Sequence, residues 1–417
     1  MQLGDLTGSV YEESLNRGFR LTRRARDLKL PNRDEQFGGS FHEAERHLFH
    51  VAGQRENLLS LTHVDLKRFP PPEEALSAYT DAVNDRIDVF TSFQGDGYVR
   101  RALAPRISEF LGVDVDPETE LAITAGTQSA LFSVLSSLIQ AGDTVLLPDP
   151  DYVSSERMIR FLGADIRYIP QLPSDAGTVL DLGEIEHGLK DGARMLVFSN
   201  PCNPTGAVYG QEFLAELAAL VVRYDAYVLV DELYARLVYD AEFHHLISEP
   251  GIRERCITTL GTSKFESMSG YRVGTVVAPA HIIHELSDIV SITALRPSSY
   301  SERTLLGWMD SDRELMAERL RTFTRLRDMT VEHFSRFDFI DLAAPQGTAY
   351  AFPRFKDNGL NDYQVAEAIV EQAGLLVYPG LAFGPSGAGG FRLCFAQNEN
   401  DLPDILDRVT STLASLY

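Results

Sequence analysis

Cysteine is scarce in this chain of 417 residues: Cys202, Cys256 and Cys394 are the only three. An odd, sparse count argues against a disulfide framework and for a reducing cytoplasm. Long apolar runs are also missing. None approaches the roughly 18–20 residues of a membrane span, so no transmembrane helix is expected. The opening MQLGDLTGSVYEESLNRGFR carries early acids and no apolar core, which excludes a secretory signal. Positive charge is in deficit, with 38 Lys and Arg against 60 Asp and Glu, a net −22. Such a surface repels phosphate backbones and argues against a nucleic-acid partner, while leaving the charge inside any one site open. Gly95-Asp96-Gly97 lacks the preceding strand and third glycine of a dinucleotide fingerprint, and no nucleophile-elbow serine occurs. His42, His47 and His50 cluster without a cysteine or paired acid at ligand spacing, so no metal site is expected.

What is present is an alternation of helix and strand signals on a chain long enough for two packed bodies. Leu121–Thr124, Thr144–Leu147, Met195–Phe198, Ala226–Val230 and Gly274–Ala278 read as short, buried strands, with a helix from Ser129 to Ile139 between the first two. Apolar runs separated by helices imply an α/β fold whose mostly parallel sheet is covered on both faces. Ligands then bind beyond the C-terminal ends of the strands. After about residue 300 the pattern changes to a long charged helix (Asp312 to Phe337), a strand at Ala349–Pro353 and a helix from Val365 to Gln372. The expected division is a leader at 1–57, a smaller α+β domain from 58–97 with 301–417, and a large domain at 98–300.

Several short motifs follow one another in a fixed order. Asn200-Pro201-Cys202-Asn203-Pro204-Thr205-Gly206 comes first, then Val230-Asp231-Glu232-Leu233-Tyr234. Thr262-Ser263-Lys264-Phe265 and Gly270-Tyr271-Arg272-Val273-Gly274 come next, and Gly390-Phe391-Arg392-Leu393 last. Each alone is a weak signal. In this order the chain, from about Leu58 to its C-terminus, resembles the pyridoxal-phosphate (PLP) aminotransferases of fold type I, classes I and II, with their three-layer PLP transferase fold. The resemblance implies that Lys264 is the Schiff-base lysine and the general base at Cα. It implies that Asp231 pairs with the pyridine nitrogen, that Asn203 and Tyr234 hydrogen-bond the phenolic oxygen, and that Tyr152 stacks on the ring. Gly126 and Thr127, at a helix start, with Ser263 and Arg272, are the expected phosphate ligands. Arg392 is the expected fork for the substrate's α-carboxylate, with Asn203 beside it.

The same resemblance implies a cytoplasmic homodimer with shared active sites that transaminates an L-amino acid with a 2-oxo acid. Three positions depart from the family. Gly261 stands where Ser or Thr usually donates to phosphate, leaving that role to Thr262 or Ser263. Phe90 takes the place of a tyrosine that reaches the neighbouring subunit's phosphate. Thr62-His63-Val64-Asp65-Leu66-Lys67 contains no glycine where a glycine-bearing substrate loop is expected. These departures keep a second reading open, in which the same cofactor drives β- or γ-elimination, replacement, cyclisation or oxidation. A non-catalytic regulatory module is a third, opposed by the presence of both Lys264 and Asp231. Arg296 is either a residue that reaches an acidic substrate across the dimer or a surface arginine.

Overall fold

The computed structural model describes residues 22–64, 67–174 and 177–417. The reading of the extreme N-terminus therefore lies outside the described residues, as do Asp65 and Leu66 of the expected substrate loop. Eight strands form the central sheet: β1 (Leu121–Thr124), β2 (Thr144–Asp149), β3 (Asp165–Ser174), β4 (Gly177–Leu180), β5 (Met195–Ser199), β6 (Tyr227–Asp231), β7 (Cys256–Gly261) and β8 (Gly274–Val277). Their order is β1-β8-β7-β6-β5-β2-β3-β4. The five strands from β7 to β3 run parallel, β8 runs antiparallel to both β7 and β1, and β4 pairs antiparallel with β3.

Burial on both faces explains why these strands read as unbroken apolar runs. Leu146, Leu196, Phe198 and Val228 pack on one face with Val99 and Leu103 of helix Gly97–Leu111 and with Leu214 and Leu217 of helix Gln211–Arg223. The alternate residues Val145, Val197, Leu229 and Val276 face the other side, against Leu131 and Val134 of helix Thr127–Leu138 and Leu286 of helix Ala280–Ile292. The result is three layers, helix on sheet on helix.

A third core joins the two ends of the described chain. Phe41 and Leu48 of helix Phe41–Gln54 share it with Phe323 of helix Arg313–Phe334, Val365 of helix Asp362–Ala368 and Leu406 of helix Leu402–Ala414. Leu59–Ser60 pairs in parallel with Leu375–Leu376. Tyr350–Ala351, Phe391–Cys394 and Tyr378–Pro379 form a small antiparallel sheet with Phe391–Cys394 in the middle. The strand expected over Ala349–Pro353 is only Tyr350–Ala351; Pro353 has no N–H to offer a ladder. The helix expected from Asp312 to Phe337 is Arg313–Phe334. Helix Phe41–Gln54 starts where the Ser40 hydroxyl accepts the Glu43 N–H at 3.3 Å.

Strand direction decides where the side chains of interest meet. β2, β5, β6 and β7 end at Asp149, Ser199, Asp231 and Gly261 on one edge of the sheet. Because β8 runs backwards, its first residue, Gly274, pairs with the last residues of both β7 (Gly261) and β1 (Thr124). Segments from every part of the sheet therefore open onto the same rim.

Candidate active site

That rim holds a cavity of about 330 Å³. Thr127, Tyr152, Asn203, Asp231, Tyr234, Ser263, Lys264 and Arg272 all line it. So do Gln128, Leu131, Ser199, Leu233 and Ser269, which the motifs did not single out. Gly126 and Arg392 do not line it, but each meets a residue that does, Gly126 meeting Arg272 and Arg392 meeting Asn203. Gly126 has φ +81°, and a Cβ there would collide with the Arg272 guanidinium.

Asp231 closes the floor. Its Oδ1 accepts the Thr259 hydroxyl at 3.0 Å and the Leu233 N–H at 3.3 Å. Burial raises its pKa to about 6, against the pull of those two donors and of Lys264. Beside it, Asp151 accepts the Ser199 hydroxyl at 2.8 Å and the Tyr152 N–H at 2.5 Å. The same Ser199 oxygen accepts the Asn203 N–H at 3.0 Å. The Tyr152 hydroxyl donates to Gln128 Oε1 at 2.8 Å, which fixes the ring at the cavity wall.

Arg392 is buried beside this floor. Nη1 donates to Asn203 Oδ1 at 2.8 Å and Nη2 to the Thr62 carbonyl at 3.0 Å, while Nε has no hydrogen-bond partner among the described residues. The guanidinium lies 4.0 Å from the Tyr350 ring centroid and 4.9 Å from that of Phe383. Tyr350 also meets Tyr234, hydroxyl to hydroxyl at 3.2 Å. The His63 pKa is lowered, by burial first and then by the nearby charges of Lys264 and Arg392. This is the position where the substrate loop carries no glycine.

The other end of the cavity is a cup of donors. The Thr127 hydroxyl is buried without a hydrogen-bond partner among the described residues. A Cβ on Gly261 would stand 2.5 Å from that hydroxyl, and one on Gly274 would stand 2.6 Å from the Thr127 N–H. Glycine at 261 is thus what makes room for Thr127. Of the two residues expected to replace a hydroxyl at 261, Ser263 lines the cavity; the Thr262 hydroxyl is buried elsewhere, without a partner. Arg272, at φ 53°, donates Nη1 to the Ser269 carbonyl at 2.9 Å and turns its other nitrogen toward Gly126.

Charged side chains that no motif announced hold the turn after Lys264. Arg319 Nη1 donates to the Phe265 carbonyl at 2.5 Å and Nη2 to the Pro70 carbonyl at 2.6 Å. Arg236 joins Glu266 at 2.6 Å to Asp312 at 2.7 Å. Phe90 is 82% exposed and lies with its ring 5.6 Å from the Arg296 guanidinium; Arg296 also donates to the Thr91 carbonyl at 2.8 Å.

Comparison with known proteins places this geometry. The family model for aminotransferase class I and II matches residues 62–409. The aromatic-amino-acid aminotransferase 2 of Thermococcus litoralis is 29% identical over 371 residues, covering 88% of this chain and 95% of that protein. The aspartate aminotransferase of Pyrococcus abyssi is 28% identical over the same shares of each. A crystal structure of an aspartate aminotransferase from Rhodobacter sphaeroides superposes with a TM-score of 0.84 at 31% identity, covering 87% of this chain and 93% of that one. Elimination, replacement, cyclisation and oxidation are not favoured by these likenesses. The chain belongs to the class I and II aminotransferases, and it is an enzyme of PLP-dependent transamination.

Proposed function

We propose that the cavity binds PLP through the residues named above and transaminates an L-α-amino acid with a 2-oxo acid. The observation that carries this is the joining, in one cavity, of Lys264, the buried acid Asp231 and the unpartnered Thr127 hydroxyl. The donor set fits the cofactor. Thr127, Ser263 and Arg272 offer two hydroxyls and a guanidinium to a phosphate. Asp231 offers a carboxylate to a ring nitrogen, and Asn203 and Tyr234 offer donors to a phenolic oxygen. When bound, PLP would supply an aldehyde that condenses with an amine and an electron sink for the electrons released at Cα.

Lys264 anchors the cofactor and then moves the proton from the substrate's Cα as general base. Arg392 orients the substrate by its carboxylate, with Asn203 fixing the plane of the fork. The names of the relatives span aromatic and acidic amino acids, and the lining mixes Tyr152, Leu131 and Leu233 with Gln128. The substrate class proposed is accordingly the α-amino acids as a group. The chain is proposed to work as a cytoplasmic homodimer, divided into the leader, small and large domains expected above. Support comes from exposed apolar side chains on helix Glu73–Asn84 (Leu76, Val83), on the loop after it (Val89, Phe90, Phe93) and near the end of helix Ala280–Ile292 (Ile292, Leu295). Among the described residues no helix is long and apolar enough to cross a membrane.

The test is visible absorption of the purified protein with PLP, titrated with amino acids and no keto acid. Bleaching of the bound cofactor's band, restored by one equivalent of a 2-oxo acid, is expected. A Lys264→Ala variant should lose this response. Continuous turnover without an acceptor would overturn transamination, and failure to bind PLP would overturn the cofactor assignment.

A further inference from the structure

The family match begins at residue 62, so the segment 22–54 lies outside it, yet it is built into the molecule. Arg33 is fully buried and holds two partners from different parts of the chain. One guanidinium nitrogen pairs with the Glu156 carboxylate on helix Val153–Leu162, and the other donates to the Leu381 carbonyl in the turn Gly380–Phe383. Glu45 makes a second tie of the same kind. It accepts Arg157 at 2.8 Å, from the residue next to Glu156, and the Tyr378 hydroxyl at 3.4 Å. Phe41 packs edge-on against Tyr363 between the two ties, with ring centroids 5.4 Å apart.

What the first tie holds is the wall of Arg392. Leu381 is fixed at both backbone polar groups, its carbonyl by Arg33 and its N–H by Asp362 at 2.5 Å. Two residues on, the Phe383 carbonyl accepts the Asp151 N–H at 2.9 Å, and its ring lies against Arg392. Tyr378, held by Glu45, places its ring 5.6 Å from the same guanidinium. A buried arginine is tolerated where its charge is paired and hydrogen-bonded. Here the two Nη groups meet a carboxylate on one side and a carbonyl on the other, while Nε is buried with no hydrogen-bond partner among the described residues; a lysine's compact ammonium lacks the planar fork that spans both partners.

We infer that Arg33 is a positioning residue for substrate: it pins the turn Gly380–Phe383 against Glu156, so that Phe383 holds the Arg392 fork in the plane that receives a carboxylate. The N-terminal segment is then part of the substrate site without touching the substrate. This rests on the reading of Arg392 as the carboxylate ligand.

The test is Arg33→Lys in the PLP-loaded enzyme. Amide hydrogen exchange across residues 380–387 should quicken about tenfold. KM for both the amino acid and the 2-oxo acid should rise about five- to tenfold, with kcat within about twofold and the cofactor's absorption unchanged. In an Arg392→Lys background the same change should raise KM much less, because both act on one group. Unchanged exchange and KM in a folded Arg33→Lys protein would overturn the inference, as would a loss shared equally by kcat, KM and PLP occupancy. If Arg392→Lys alone leaves KM unaltered, the carboxylate reading fails, and exchange at 380–387 still decides whether Arg33 pins the turn. Should Arg33→Lys not fold, Glu156→Gln decides, since it removes the charge that Arg33 grips: faster exchange at 380–387 and a smaller rise in KM are expected, and the absence of both would refute the positioning role.

Discussion

Asp231 is poorly served by the protein alone. Its carboxylate has two donors and is otherwise desolvated, and its pKa stands at about 6 instead of the usual 3.8. The folded chain therefore keeps a proton that the unfolded chain releases between those values. The group's contribution to stability is fully present below the lower value and lost as pH rises through the upper one. Asp231→Asn removes that loss. Without PLP, the variant should melt several degrees above the parent at neutral pH, and at the same temperature near pH 4. Its affinity for PLP should fall by about 10- to 100-fold, because an amide cannot neutralise a protonated ring nitrogen. Thermal scans at the two pH values and an absorbance titration check both halves. An Asp231→Asn protein that is no more stable than the parent at neutral pH would show that burial is not what raises this carboxyl.

At the scale of elements, the strand-to-helix turn after β1 and the return from β7 to β8 form one unit, locked by glycines. Replacing Gly261 with the serine that the family pattern suggests should not add a phosphate ligand. The new Cβ would meet the Thr127 hydroxyl at 2.5 Å and push it out of the cup. Gly261→Ser is expected to cost about 1–3 kcal/mol in denaturant unfolding and to weaken PLP binding; tighter binding would refute this account. How far such elements could be read from the chain depended on their burial. β2, β5 and β6, buried on both faces, were legible as apolar runs. β7 was not, since Cys-Ile-Thr-Thr-Leu-Gly hides two threonines inside the sheet. The lysine, the acid and the arginines stood in local motifs and were legible too. Gln128, Ser199, Tyr350 and Phe383 had no local signature, because only tertiary packing brings them to the cavity or to Arg392. Arg33 was illegible for the same reason: its partners lie 123 and 348 residues away.

Across the whole molecule, a net charge of −22 keeps copies apart except where apolar surface outweighs it. Phe90 and Ile292, both at least 80% exposed, belong to the apolar surface proposed for the dimer. Phe90→Asp with Ile292→Asp should give a monomer by analytical ultracentrifugation, with transaminase activity lowered by more than about tenfold if the sites are shared. A monomeric wild type, or a dimeric double variant, would refute this interface. The path of the chain has one more consequence. Every residue lining the cavity falls between Thr127 and Arg272, whereas Arg392 reaches back 330 residues to the Thr62 carbonyl. On the proposed assignment, cofactor capture is local to the middle of the polypeptide, while recognition of the amino acid needs residues from both ends of the matched segment to meet. The enzyme should therefore fray from its ends inward. In urea well below the main transition, substrate affinity should vanish while the cofactor's colour persists, a protein still loaded for chemistry but blind to what it should act on.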